Sequence, residues 1–341
     1  MASWGDCTSS HCPRVFLTYE PSLAGNAVFL ALFAALIPVA LGLGIKYRSS
    51  IFATTVATGL ALEVVGYIGR VLLYSSPTDR NGFIIFLIGT VMGPTFICAA
   101  VFLVIPQVVA VYGEDLRSWR PIWYHILLLA FTAASLVLEL AGGLVSTIQD
   151  KSAKVDAGIR ALEVGLALQL VALAIFVGHA MLFAIAVRTR HHALDIRYAG
   201  IYNSGSFKAF LIALSLATLL LALRTAYRIV VIAEGYNSSI AQSETLLLVL
   251  DGLMVLLATL ILLAFFPGRM LGQSRPQMSA RRVSKSLPPP IQAPPYELPS
   301  TRTSPTYRIS VKSSTMNYSP RKSQHPSPPL QRDLVDSEAL W

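Results

Sequence analysis

The run LLLVLDGLMVLLATLILLAFF at residues 246–266 holds 21 residues and a single charge, Asp251. As a helix rising about 1.5 Å per residue it is about 30 Å long, the thickness of a bilayer's hydrocarbon core. Helices buried in soluble proteins average only about 10–14 residues. Six further blocks of this kind precede it, at 24–45, 51–74, 83–111, 122–148, 158–187 and 207–233. The chain of 341 residues is 54% hydrophobic and 13% charged, against about 25% charged in soluble domains. These features predict an all-α polytopic membrane protein, a bundle of seven transmembrane helices. An odd number of spans puts the two ends on opposite sides.

Basic residues set the orientation. With the N-terminus outside, the cytoplasmic loops carry Lys46, Arg48, Arg117, Arg120, Arg188, Arg190, Arg197 and Lys208, and the start of the tail adds Arg269, Arg275, Arg281, Arg282 and Lys285. The outer segments hold Arg14, Arg80, Lys151, Lys154 and Arg160, so thirteen face five in favour of N-out and C-in. The net charge of +9 therefore reports membrane orientation and not a nucleic-acid surface. The expected domains are an extracellular segment at 1–23, a transmembrane domain at 24–267 and a cytoplasmic tail at 268–341.

The run from Met1 to Tyr19 lacks the charged start, apolar core and cleavage site of a signal peptide, so the first span is expected to direct insertion. Three cysteines are too few for a disulfide framework, although Cys7 and Cys12 lie close enough for an oxidising exterior to pair them. Asn237-Ser238-Ser239, in the last outer loop, matches the glycosylation acceptor pattern. Beyond Gly268 the composition turns to Pro, Ser, Thr, Lys and Arg, which cannot bury enough apolar surface to offset chain entropy, and disorder is expected. Ser304, Ser319 and Ser327 each precede a proline; their phosphorylation would weaken attraction of the basic tail to the inner leaflet. An unregulated, solvated tail is the plainer alternative. The tail could also engage cytoplasmic partners.

Pro38, Pro94 and Pro106 lie inside spans, where neighbouring helices can satisfy the carbonyls that proline leaves free; kinks are expected, not ends. Gly59, Gly66, Gly69, Gly142 and Gly143 are read as points of close helix contact.

Ionisable residues far from any loop are more informative, because a charge at the bilayer centre costs at least about 2.5–3.5 kcal/mol unless it is paired or wet. Glu63 and Arg70, with Tyr67 near the same face, lie in helix 2; Glu139 lies in helix 4, Glu163 and Gln169 in helix 5, Arg224, Tyr227 and Arg228 in helix 6, and Asp251 in helix 7. Arg224 and Arg228 stack on one helix face and need acids to answer them, with Glu63, Glu139 and Asp251 available. Two readings stand side by side: ion pairs that fix the helix arrangement, and an outward-opening polar cavity for an amphipathic molecule with an amine or zwitterionic head. His125 and His179 are isolated and read as packing residues, and His191-His192 sits in a loop. No metal-ligand spacing, phosphate-cradling loop or nucleophile elbow is present, so neither a cofactor, a metal, an enzyme nor an ATP-driven pump is expected.

Tyr19-Glu20-Pro21-Ser22 with Asn26 and Phe29, then Glu63-Val64-Val65-Gly66-Tyr67-Ile68-Gly69-Arg70, resemble the fungal lipid-translocating exporter family, also called RTA-like. Gly142-Gly143, Gly165-Leu166-Ala167-Leu168-Gln169, Arg224-Thr225-Ala226-Tyr227-Arg228, and Glu244 with Asp251 leading to Phe266-Pro267-Gly268 extend the match over residues 19–268. The resemblance implies a seven-helix protein of fungal membranes that exports or flops sphingoid bases and gives resistance to toxic amphiphiles. It favours the plasma membrane over vacuolar or endosomal membranes. Three positions depart from the family pattern: Thr132 stands where Asp is usual, Glu139 where Gln is usual, and Val231 where Glu often follows the Tyr-Arg pair.

The leading expectation is a transporter or translocase for amphipathic lipids or toxic amphiphiles, with membrane lipids or amphipathic small molecules as partners. A seven-helix receptor or sensor, or a regulatory subunit of lipid homeostasis, fits the same topology.

Overall fold

A computed structural model describes residues 19, 21–76, 79–112, 121–148, 152–189, 200, 203–235 and 238–271, with no side-chain detail at 110, 121–125 and 152. Cys7, Cys12, His191, His192, Asn237, Ser304, Ser319 and Ser327 lie outside the described residues, as does the tail beyond residue 271. The chain runs through α1 (Leu23–Lys46), α2 (Ser50–Ser75), α3 (Arg80–Tyr112), α4 (Pro121–Ile148), α5 (Ser152–Thr189) and α6 (Gly205–Ala233). The seventh span, α7, is composite: α-helical over Glu244–Leu246, π-helical over Leu247–Leu253 and α-helical again over Met254–Ala264. A short α8, Pro267–Met270, follows. Seven helices are long and apolar enough to cross a membrane. The protein is an integral, multi-pass membrane protein.

The expected spans hold to within a few residues, except that α5 starts at Ser152 and not 158. Its first turns are polar, and backbone hydrogen bonding carries the helix past the apolar block. Ser22 caps α1, accepting the Gly25 N–H at 3.3 Å. The α1–α2 turn is held by left-handed Arg48 (φ 51°) and by the Ser49 N–H donated to the Gly44 carbonyl at 3.0 Å.

The bundle reverses the soluble pattern. Val137, Ile185, Ile212 and Leu219 are all more than half exposed, while Arg70 and Arg224 are at most 1% exposed. Apolar side chains facing outward are solvated by lipid, and charged ones must find partners inside.

Two glycine seams set how closely the helices approach. On α2 and α3, Gly59, Gly66 and Gly69 face Gly82, Gly89 and Gly93, with backbone pressed against backbone: a Cβ added at Gly89 would lie 2.6 Å from the Leu62 carbonyl oxygen. On α4 and α5, Gly142 meets Gly158 and Leu162, and Gly165 meets Glu139. Small residues let dispersion and weak polar contacts act where lipid offers no hydrophobic drive to association. Of the five glycines read as close-contact points, Gly143 alone has room, its nearest neighbour being Ile88 in ordinary contact. Pro38, Pro94 and Pro106 all lie within continuous helices.

Gly89→Ala is therefore expected to lower the thermal unfolding temperature in detergent by several degrees, as overpacking costs about 1–3 kcal/mol. Gly178→Ala, with open space at the added Cβ, is expected to leave it unchanged or slightly higher.

Candidate functional site

The polar residues picked out in the sequence gather at the N-terminal end of the bundle, the end at which α1, α3, α5 and α7 begin. Their centre is Asp251, 3% exposed. It sits in the π-helical segment, whose wider turn shifts the register by one residue relative to a continuous α-helix. The adjoining Gly252 lies against the Tyr67 hydroxyl and the Phe29 ring, leaving no room for a Cβ. Asp251 Oδ1 is 2.6 Å from Arg224 Nε, and Oδ2 is 3.2 Å from Arg228 Nη2. One carboxylate thus answers two cations stacked four residues apart.

The same arginines reach α3. Arg224 Nη2 donates to the Thr90 carbonyl oxygen, and Arg228 Nη2 donates to Thr90 Oγ1. In an unbroken helix the Thr90 carbonyl would accept the N–H of residue 94, but residue 94 is proline and has none. Arg224 fills that gap from a neighbouring helix.

A second group lies toward the chain terminus. Arg70 Nη2 donates to Tyr19 Oη at 2.9 Å and lies 3.5 Å from Glu244 Oε1, while its Nε donates to Asn26 Oδ1 at 3.4 Å. Glu244 also accepts the Ser22 N–H at 2.7 Å and the Asn26 amide at 3.2 Å. The entry to α1 is thereby tied to the start of α7. The Phe86 ring lies between the two groups, 5.0 Å from the Arg70 guanidinium carbon and 5.4 Å from that of Arg228.

Of the three acids available to the arginines, Asp251 makes the ion pairs, and Glu63 and Glu139 make none among the described residues. Glu139 is buried against hydroxyls, accepting from Thr95 at 3.0 Å and Ser135 at 2.8 Å. Glu63, 3% exposed, packs on Gly93 of α3 and has no ion pair or hydrogen bond among the described residues. One turn on, Tyr67 stacks on Phe29 at 5.5 Å, and its buried hydroxyl has no hydrogen-bond partner among the described residues. Gln169 is buried on α5 beside the Cys98 thiol of α3, and its amide atoms make no hydrogen bond to nitrogen or oxygen among the described residues. Tyr227 is buried on α6. Glu163 is only partly buried on α5.

The polar groups are packed on one another and do not surround open space. A cavity of about 20 Å³ lies between Arg70 and Arg228, with Val231 in its wall. A larger one of about 280 Å³ lies in the opposite half, between α3, α5 and α6, lined almost wholly by apolar side chains such as Ile105, Phe176, Phe183 and Leu211. No group of three or more His, Cys, Asp or Glu among the described residues could hold a metal.

The family model described as RTA1 like protein matches residues 56–274, more than half of the chain, including Glu63, Arg70, the two arginines of α6 and Asp251. The chain belongs to the RTA1-like family. Among its curated relatives is the sphingoid long-chain base transporter RSB1 of Saccharomyces cerevisiae, 25% identical over 241 residues that cover 62% of this chain and 63% of that protein. Protein RTA1 of the same yeast is 25% identical over 210 residues, 61% of this chain and 63% of that one. Protoporphyrin uptake protein 1, also from Saccharomyces cerevisiae, is 26% identical over 217 residues, 63% of this chain and 67% of that one. This RTA1-like chain spans less than two thirds of the length of RSB1. No solved structure matches it.

Tyr19, Asn26 and Glu244 were visible in the sequence as motif residues but not as partners of Arg70. Thr90, Thr95 and Ser135 escaped the sequence reading because hydroxyl residues are ordinary in membrane helices. The one available signal was the position of Thr90, four residues before Pro94.

Arg70→Ala is expected to raise hydrogen exchange at the Ser22 and Asn26 amides roughly tenfold, equivalent to about 1.4 kcal/mol of local protection. Exchange in the α4–α5 seam should stay unchanged.

Proposed function

We propose that this protein is a membrane translocase that moves amphipathic molecules bearing an amine head and a hydrocarbon tail, sphingoid bases being the model substrate. The observation that carries the reading is Glu63: an acid enclosed in a seven-span bundle, one helical turn from the unpartnered Tyr67 hydroxyl and without an ion pair among the described residues. A buried carboxylate without a fixed cation is suited to receive a mobile one, an ammonium group, and Tyr67 and Gln169 offer further hydrogen bonds to head-group hydroxyls. Glu139, Arg70, Arg224, Tyr227, Arg228 and Asp251 complete the polar surroundings of the head. The apolar cavity of about 280 Å³ in the other half of the bundle fits the character of the tail.

The names of the relatives, a sphingoid base transporter and a porphyrin uptake protein, support movement of amphiphiles across a membrane. In this reading the chain is not an enzyme. The basic residues flanking the spans support an N-out, C-in orientation, which turns the polar cluster toward the exterior and the basic segment 268–341 toward the cytoplasm. Export of toxic amphiphiles then implies the plasma membrane.

The test is transbilayer movement of a fluorescent sphingoid base in liposomes holding the purified protein, with Glu63→Gln as the variant. Glu63 has no ion pair to break, so its substitution should leave the unfolding temperature close to that of the wild type. Asp251→Asn would strip two arginines of their counter-charge and confound folding with function. The expected result is at least roughly a tenfold fall in rate, the loss of about 1.4 kcal/mol of interaction with the moving head. Equal rates in variant and wild type would remove Glu63 as the head-group site. No movement by folded wild type would turn the assignment toward a receptor or a regulatory subunit.

A further inference from the structure

The arginines at the N-terminal end of the bundle outnumber the carboxylates that pair with them. The guanidiniums of Arg70, Arg224 and Arg228 meet two carboxylates, Asp251 serving two of them and Glu244 the third. The Glu244 side chain is 21% exposed and accepts two further hydrogen bonds from Ser22 and Asn26, so its charge is shared and partly hydrated. Glu63 and Glu139 form no ion pair among the described residues. Glu63 lies seven residues from Arg70, about 10 Å of helix rise deeper. Arg70 and Arg228 therefore each hold only a shared carboxylate, and in a setting of low dielectric a guanidinium with a shared counter-charge still attracts a further anionic partner.

The donors are in excess as well. Arg70 Nη1 and Arg228 Nε are buried and have no hydrogen-bond partner among the described residues. Both side chains line the same cavity of about 20 Å³, together with Phe83, Phe86, Val231, Gln242 and Leu247. That volume admits one particle of about the size of a water molecule, since roughly 10–15 Å³ suffices for one. Guanidinium groups are weakly hydrated cations and suit a weakly hydrated anion.

We infer that this cavity is a binding site for a single small monovalent anion, with chloride as the abundant species of that size, held between Arg70 and Arg228. The anion adds a counter-charge between the two guanidiniums and accepts the free N–H groups. It locks the α2 arginine to the α6 arginine across the Phe86 ring. Arg70 and Arg228 also belong to the proposed polar surroundings of the head group, so the site is read by unfolding and not by transport.

The experiment is thermal unfolding of the purified chain in an uncharged detergent, comparing sodium chloride with sodium gluconate at constant ionic strength. The wild type is expected to unfold several degrees higher in chloride, with a saturable dependence on its concentration. Val231→Glu tethers a carboxylate in the cavity wall; it should raise the unfolding temperature in gluconate and abolish the chloride response. Val231→Gln, of similar size and no charge, should give no such gain in gluconate. Equal unfolding temperatures of the wild type in both salts would overturn the proposal and leave water as the occupant. A chloride response that survives in full in folded Val231→Glu would also overturn it, by locating the anion elsewhere. If Val231→Glu does not fold, Phe83→Trp decides: bromide should quench its emission with the midpoint seen in the unfolding titration, and the absence of saturable quenching counts against the site.

Discussion

The pairing of Asp251 with Arg224 and Arg228 is the constraint on which the interior depends. Two guanidiniums four residues apart on α6 repel each other, and no bulk water screens them. A single carboxylate from α7 meets both, at 2.6 Å and 3.2 Å. Its position follows from the π-helical turn at Leu247–Leu253, which brings Asp251 to α6 while Gly252 clears Tyr67. The arginines then carry the connection to α3, where Pro94 leaves the Thr90 carbonyl in need of a donor. A proline, an arginine pair, an aspartate and a widened helical turn thus form one mutually dependent unit spanning α3, α6 and α7.

The glycine seams prepare the ground for that unit. Contact of α2 with α3 through Gly59, Gly66, Gly69, Gly82, Gly89 and Gly93 brings Glu63 and Arg70 close to the helix that carries Thr90. The α4–α5 seam does the same for Glu139 and Gln169, holding Glu139 beside Gly165. Polar side chains of five helices are thereby concentrated in one end of the bundle, and the other end is left to apolar residues and the larger cavity. An amphiphile has the same division into a polar head and an apolar tail, which is the physical link between this fold and the proposed translocation.

Much of this was legible in the sequence, and for definite reasons. Span length and charge depletion report directly on the solvent, so the seven helices could be counted and, the start of α5 apart, bounded within a few residues. Intramembrane charges are costly, so Glu63, Arg70, Glu139, Arg224, Arg228 and Asp251 stood out as residues in need of partners. The pairing itself was not legible. Glu63 and Glu139 seemed as available to the arginines as Asp251, because the choice depends on the π-helical register of α7 and on hydroxyls contributed by Thr95 and Ser135. The tie from Arg70 to Tyr19, Asn26 and Glu244 was hidden for a similar reason: it joins residues more than 200 positions apart, Asn26 and Glu244 among them.

Asp251 neutralises two arginines that otherwise have no place in the bundle. The direct measurement is unfolding stability in detergent for Asp251→Asn, for the double variant Arg224→Gln with Arg228→Gln, and for the three substitutions combined. Asp251→Asn should cost about 3–5 kcal/mol, the usual penalty for a buried charge left alone, and the triple variant should recover a large part of that loss. Asp251→Asn as stable as the wild type would show instead that the arginines are balanced by another group.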